Sequence, residues 1–91
     1  MGNMPAISVL IPCYNHERYI ENTVRSVLAQ TMQDFEILIT DDCSTDHSLQ
    51  VLQGISDPRI RIWAFPENGG TVPAINFLMR QARGRYFAFL G

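Results

Sequence analysis

Apolar positions recur along this chain with two alternating periods. Residues 7–11 (Ile-Ser-Val-Leu-Ile) form a short apolar run with β-branched residues at 7, 9 and 11, closed by Pro12. This predicts a strand. From about Glu17 the period becomes helical. Ile20, Val24, Val27, Leu28 and Thr31 share one stripe, and Arg18, Glu21, Asn22 and Arg25 take the other side. Residues 35–40 (Phe-Glu-Ile-Leu-Ile-Thr) predict a second strand, stopped by Asp41-Asp42. Ser44 or Thr45 is the expected N-cap of a second helix, with Asp46 in its first turn and Leu49, Leu52 and Ile55 on its apolar face. Asp57-Pro58 marks a turn. Residues 59–65 alternate in polarity, which predicts a third strand with one partly wet face, at a sheet edge. After the Asn68-Gly69-Gly70 loop, Thr71 is the expected cap of a third helix. Pro73 suits its first turn, and its stripe is Ile75, Leu78, Met79 and Ala82. Gly84 reads as a left-handed stop. Residues 86–90 are apolar throughout and predict a fourth strand buried on both faces, with Met79, Tyr86, Phe87 and Phe89 in the core. Trp63 is expected to pack under a helix.

Strand and helix alternate through four strands and three helices. Such a pattern implies parallel pairing through right-handed crossovers, an open α/β sheet. The expected order is 3-2-1-4, with a switch point between strands 1 and 4. The whole chain is expected to be one domain, 1–91, with residues 1–5 a flexible N-terminus.

Composition narrows the function classes. The chain has 91 residues, 46% apolar and 18% charged, which is a globular balance. A net charge of −2 gives no electrostatic footprint for nucleic acid or an anionic membrane. Two Cys are too few for a disulfide scaffold, and Cys13 and Cys43 are expected to stay reduced. With no long apolar run and no basic segment before one, neither a bilayer span nor a signal peptide is expected. The localisation these features imply is cytoplasmic.

In open α/β sheets ligands bind beyond the carboxyl ends of the strands. Those positions here are polar: Pro12-Cys13-Tyr14-Asn15-His16, then 41–46 (Asp-Asp-Cys-Ser-Thr-Asp), then Pro66-Glu67-Asn68-Gly69-Gly70. Tyr14 offers a flat ring for a base, or is an ordinary loop aromatic. A carboxylate ending strand 2 can accept from a base N–H or a ribose hydroxyl; Asp41 reads more simply as a turn brace. His16 and His47 read as solvated helix-entry residues. Neither a dinucleotide glycine fingerprint nor a P-loop is present.

These residues carry a resemblance. Residues 9–15 (Val-Leu-Ile-Pro-Cys-Tyr-Asn) resemble the first-strand signature of the family 2 glycosyltransferases, inverting enzymes of the GT-A fold. The likeness continues in register through 26–31 (Ser-Val-Leu-Ala-Gln-Thr), 35–46, Asn68-Gly69-Gly70, Ala74-Ile75-Asn76 and 82–90. It implies a three-layer Rossmann-like sheet, the N-terminal part of a nucleotide-diphospho-sugar transferase. It also implies transfer of a sugar, from a UDP-sugar first of all, to an acceptor hydroxyl. Cell-envelope polysaccharide is the implied setting. Pro12 and Tyr14 would line the nucleobase pocket and Asp42 would bond the base. Asp41 would brace the turn, and the 68–70 loop would border the donor. The implied donor set is Pro12, Tyr14, Asn15, Asp41, Asp42, Asn68 and Gly69. The family's Mn²⁺ or Mg²⁺ is held by a D-x-D motif that would follow Gly91. No catalytic residue or metal ligand is therefore expected within the chain, whose apolar stop at Leu90-Gly91 reads as a truncation. Ile75 departs from the Arg found there in many members, and His16 from the Glu found there in some.

The expected partners are a nucleotide-sugar donor and, in the longer protein, a carbohydrate or lipid-linked acceptor; no nucleic acid is expected. An uncovered fourth strand would favour a homo-oligomer. Two other classes stay open. One is a receiver-like signalling module, which the absence of Lys disfavours. The other is a non-catalytic interaction module.

Overall fold

The computed structural model describes residues 4–90. Residues 1–3 of the expected flexible terminus, and Gly91, lie outside them. Four strands, β1 (Ile7–Cys13), β2 (Phe35–Asp41), β3 (Ile60–Ala64) and β4 (Tyr86–Phe89), alternate with helices α1 (Ile20–Ala29), α2 (Ser48–Gln53) and α3 (Thr71–Gln81). The sheet is parallel in the order β3-β2-β1-β4, as the alternation predicts.

The layers follow from chirality. Steps β1→β2→β3 move one way across the sheet, and β3→β4 moves back past both. A right-handed crossover then puts α3 on the face opposite α1 and α2. Side chains alternate accordingly. Val9, Ile11, Ile37 and Ile39 pack with Ile20, Val24 and Val27 of α1 and Leu52 of α2. Leu10 and Leu38 face Leu78 of α3. Trp63 meets Phe77 of α3 edge-on, with centroids 5.2 Å apart, so it packs under a helix. β2 is central and buried along its whole length. Each fully buried Leu or Ile contributes roughly 1.5–3 kcal/mol.

Several local expectations are corrected. Pro12 lies inside β1 and does not close it. α1 begins at Ile20, not near Glu17. The N–H groups of His16 and Glu17 are engaged by Ser48 Oγ (2.8 Å) and Asp46 Oδ2 (3.2 Å), so these residues form a turn docked on the next loop. Thr31 falls beyond the helix and is exposed. Neither Ser44 nor Thr45 caps α2. Both are drawn into contacts with Asp41 and Asn15, and Asp46 accepts from the N–H and hydroxyl of Ser48 at the helix start. Gly70, not Thr71, is the N-cap of α3. Gly84 is not a left-handed stop, since α3 ends at Ala82 in an extended conformation. Its glycine is demanded by proximity: a Cβ there would stand 2.6 Å from Ser8 N and 2.7 Å from Ser8 Oγ.

The largest correction concerns β4. It is an edge strand here, with Tyr86 66% and Phe89 52% exposed, and Phe87 and Met79 exposed as well. An all-apolar run signals burial only when elements cover both faces. Among the described residues nothing packs outside β4.

Candidate functional site

Three loops meet at the carboxyl ends of β1, β2 and β3. The first carries Tyr14, Asn15 and His16. Asn15 sits in the left-handed region (φ 53°), which Asn tolerates better than most residues. Its Oδ1 accepts the Thr45 N–H at 2.8 Å and, more weakly, that of Asp46. Its own N–H donates to Ser44 Oγ at 3.0 Å. Asn15 is therefore a staple between the first two loops, and it does not line the cleft beside them. His16 is half-buried rather than solvated. His47 is exposed, within 3.6 Å of Glu17.

Asp41 and Asp42 take different parts. The Asp41 carboxylate accepts the Ser44 hydroxyl at 2.6 Å and the Ser44 N–H at 3.1 Å, which braces the turn at the end of β2. The Asp42 carboxylate crosses to the third loop. Oδ1 accepts the Gly69 N–H at 2.9 Å and Oδ2 the Gly70 N–H at 2.8 Å. Cys43, between these loops, is held at φ 59°, with Sγ 3.6 Å from the Pro66 carbonyl. Cys43 is exposed and Cys13 buried; both are free thiols. Burial, and next the Asp41 charge, push the Cys13 thiol up to about 11.

Pro12, Tyr14 and Asp42 share one small open cleft with Cys13, His16, Gly70, Thr71 and Ala74. Tyr14 is 42% exposed and presents a ring at its mouth. Asn15, Asp41, Asn68 and Gly69 do not line that cleft; Gly69 reaches it only through its bond to Asp42. A larger cleft, about 340 Å³, lies at the opposite end of the sheet among Asp34, Glu36, Arg59, Arg61 and Arg83. Its cations are committed internally: Arg59 to Asp57, and Arg61 and Arg83 to Glu36.

Glu36 is the functional-looking residue that the sequence reading passed over. Its side chain is 7% exposed. It accepts the Ser8 hydroxyl at 2.6 Å and the Arg83 N–H at 2.7 Å, and faces the guanidinium of Arg61 at 3.4 Å. Burial works to raise its pKa. Those hydrogen bonds and the two guanidinium charges outweigh burial and hold the carboxyl below the ordinary range. The available signal was a lone carboxylate in a strand apolar on both faces. Its role is to tie β1, β2 and the turn before β4 together, at the end of the sheet away from the cleft.

Residues 8–91 match the model of the family described as Glycosyl transferase family 2. The chain belongs to glycosyl transferase family 2. This family 2 chain is 46% identical over 88 residues to a putative teichuronic acid biosynthesis glycosyltransferase of Bacillus subtilis, covering 94% of the chain and 35% of that relative. It is 39% identical to the hyaluronan synthase of Pasteurella multocida, covering 99% of the chain and 9% of the synthase. The crystal structure of S. aureus TarS 1–349 in complex with UDP superposes with a TM-score of 0.85 at 32% identity, over 92% of this chain and 26% of that one. The chain thus spans about a third or less of the length of these relatives.

Proposed function

We propose that this chain is the donor-binding part of a glycosyltransferase. The longer protein would transfer a sugar from a nucleotide-diphospho-sugar, a UDP-sugar first, to an acceptor hydroxyl with inversion. The observation that carries the reading is the convergence of Pro12, Tyr14 and Asp42 on one cleft beside the β1/β4 switch point. A base laid on the Tyr14 ring would reach the Asp42 carboxylate with an N–H. A carboxylate is acceptor-only, so it selects a base edge that donates, as uracil N3–H does, and repels one that accepts. The UDP held by the TarS structure supports the same nucleotide class.

Asn15, Asp41, Asn68 and Gly69 complete the proposed donor site by shaping its loops, Asn15 through its Ser44 and Thr45 bonds. Family membership supports a divalent cation, Mn²⁺ or Mg²⁺, in the longer protein. The described residues do not fit one: no three His, Cys, Asp or Glu among them are arranged to hold a metal. No step through a metal is assigned to this chain. With the cation site and acceptor contacts lacking among these residues, the isolated chain should bind nucleotide weakly and transfer no sugar.

The acceptor of the longer protein would be a carbohydrate or a lipid-linked one, in cell-envelope polysaccharide synthesis; the named relatives support that setting. No helix among the described residues is long and apolar enough to cross a membrane. Two free thiols support a reducing, cytoplasmic site of action. The exposed β4 edge supports self-association of the isolated chain.

The test is an NMR titration of the chain with UDP. Shifts clustering at 12–15 and 41–44 are expected; their absence overturns the donor reading.

A further inference from the structure

We propose that Asp42 is a positioning residue that couples the donor cleft to the 65–70 loop. Its carboxylate holds the start of α3 in place, and a nucleotide at the Tyr14 cleft acts on that loop through it. The ligand half of this proposal rests on the donor reading; the latch itself rests on geometry.

Two consecutive backbone N–H groups, Gly69 and Gly70, converge on the two oxygens of one carboxylate from 27 and 28 residues away in sequence. Adjacent N–H groups aimed at one anion form an anion-binding concavity. Gly70, at φ 90°, then turns the chain into α3. The N-cap of α3 has no side-chain cap of its own. Asp42 therefore provides, from the end of β2, the negative charge that the positive end of the α3 dipole favours. Bonds to an ionised acceptor are stronger than neutral ones, and this carboxylate is only 5% exposed.

Asp42 and Gly70 also line the cleft that Tyr14 borders. Each carboxylate oxygen gives one lone pair to the loop and keeps another. A base N–H that bonds the remaining lone pair draws on the same charge that holds Gly69 and Gly70. The two events share one acceptor, so neither can change without the other. The Cys43 Sγ contact to the Pro66 carbonyl joins the same two loops a second time, more weakly.

The experiment uses the 91-residue chain, with amide exchange and chemical shifts read by NMR and UDP without metal as the probe. In the wild type, the Gly69 and Gly70 amide protons should both be protected from exchange. In Asp42→Asn, protection at both glycines should drop about tenfold or more, with protection at Leu38 and Ile39 retained. UDP should shift Gly69 and Gly70 with the same apparent Kd as Tyr14 and Cys43. Unchanged glycine protection in the variant overturns the latch, whatever UDP does. UDP responses at Tyr14 and Cys43 without one at the glycines overturn the coupling and leave the donor reading standing. No response to UDP at any residue overturns the donor reading and the coupling together, with the exchange result still deciding the latch. Should Asp42→Asn lose core protection, the wild type decides: fast, unprotected exchange at Gly69 and Gly70 overturns the latch.

Discussion

Ser8 donates its hydroxyl to Glu36 at 2.6 Å across the β1–β2 ladder, where the two residues are register partners. The same hydroxyl accepts the Gly84 N–H at 2.8 Å, so a single serine joins two neighbouring strands to the turn that starts β4. Glu36 is held below the ordinary carboxylate range, against the push of burial. A depressed folded pKa stabilises the fold fully above the unfolded value, about 4.3 for Glu, and that stability is lost as pH falls through the folded value. Urea midpoints should therefore be flat from neutral pH to about 5 and drop below it. Glu36→Gln should flatten part of that acid limb, with Asp46 and Asp57, also held low, supplying the remainder. At pH 7 the substitution should cost about 1–3 kcal/mol through lost hydrogen bonds.

Gly84→Ala should destabilise by about 2 kcal/mol or more, because its Cβ meets strand backbone that cannot step aside. Gly69→Ala is the control. Nothing lies within 4 Å of a Cβ there and its φ is not positive, so chemical denaturation should shift by less than about 0.5 kcal/mol.

The two thiols should separate cleanly. Cys13 is buried with a raised pKa, and Cys43 is exposed. A thiol-reactive dye at pH 7.5 should label one cysteine per native chain, and mass mapping should place it at Cys43. Denaturant should release the second. Rapid labelling of Cys13 in the native chain would contradict its burial.

Tyr14→Ala should leave stability within about 0.5 kcal/mol, since Tyr14 belongs to neither core cluster. Loss of a stacking surface should weaken UDP binding by about 1–3 kcal/mol, read as a higher Kd in the NMR titration. Equal affinities for Tyr14→Ala and wild type would remove the stacking role.

The β4 edge should associate. Sedimentation velocity of the isolated chain should show a concentration-dependent rise in mean mass. Phe89→Lys, which puts a charge on the open edge, should suppress it. A wild-type monomer at every concentration would refute this.

The sheet order was legible because periodicity and crossover handedness constrain it with little reference to particular side chains. Helix starts were not. Asn15 accepts from Thr45 and Asp46, and His16 donates to Ser48, each across 30 or more residues, and such contacts override the local capping preferences of Ser44 and Thr45. Tyr14 and Asp42 could be singled out from their places at strand ends. The bond from Asp42 to Gly69 and Gly70 could not, because it joins a side chain to main-chain groups, which carry no sequence signature. Gly84 misled for a related reason: a glycine needed for close approach looks the same in sequence as one needed for a left-handed turn.

Pro12 has a consequence for the shape of the sheet. In a parallel ladder alternate residues face the same neighbour, and Leu10 already bonds Leu90 on the β4 side. Pro12 is the next residue facing that way, and it has no N–H to offer. The seam between β1 and β4 therefore loses one donor at Pro12, while the Pro12 carbonyl on the same side can still accept. One rung at this end of the ladder is fixed as half-made by covalent structure, whatever packs around it.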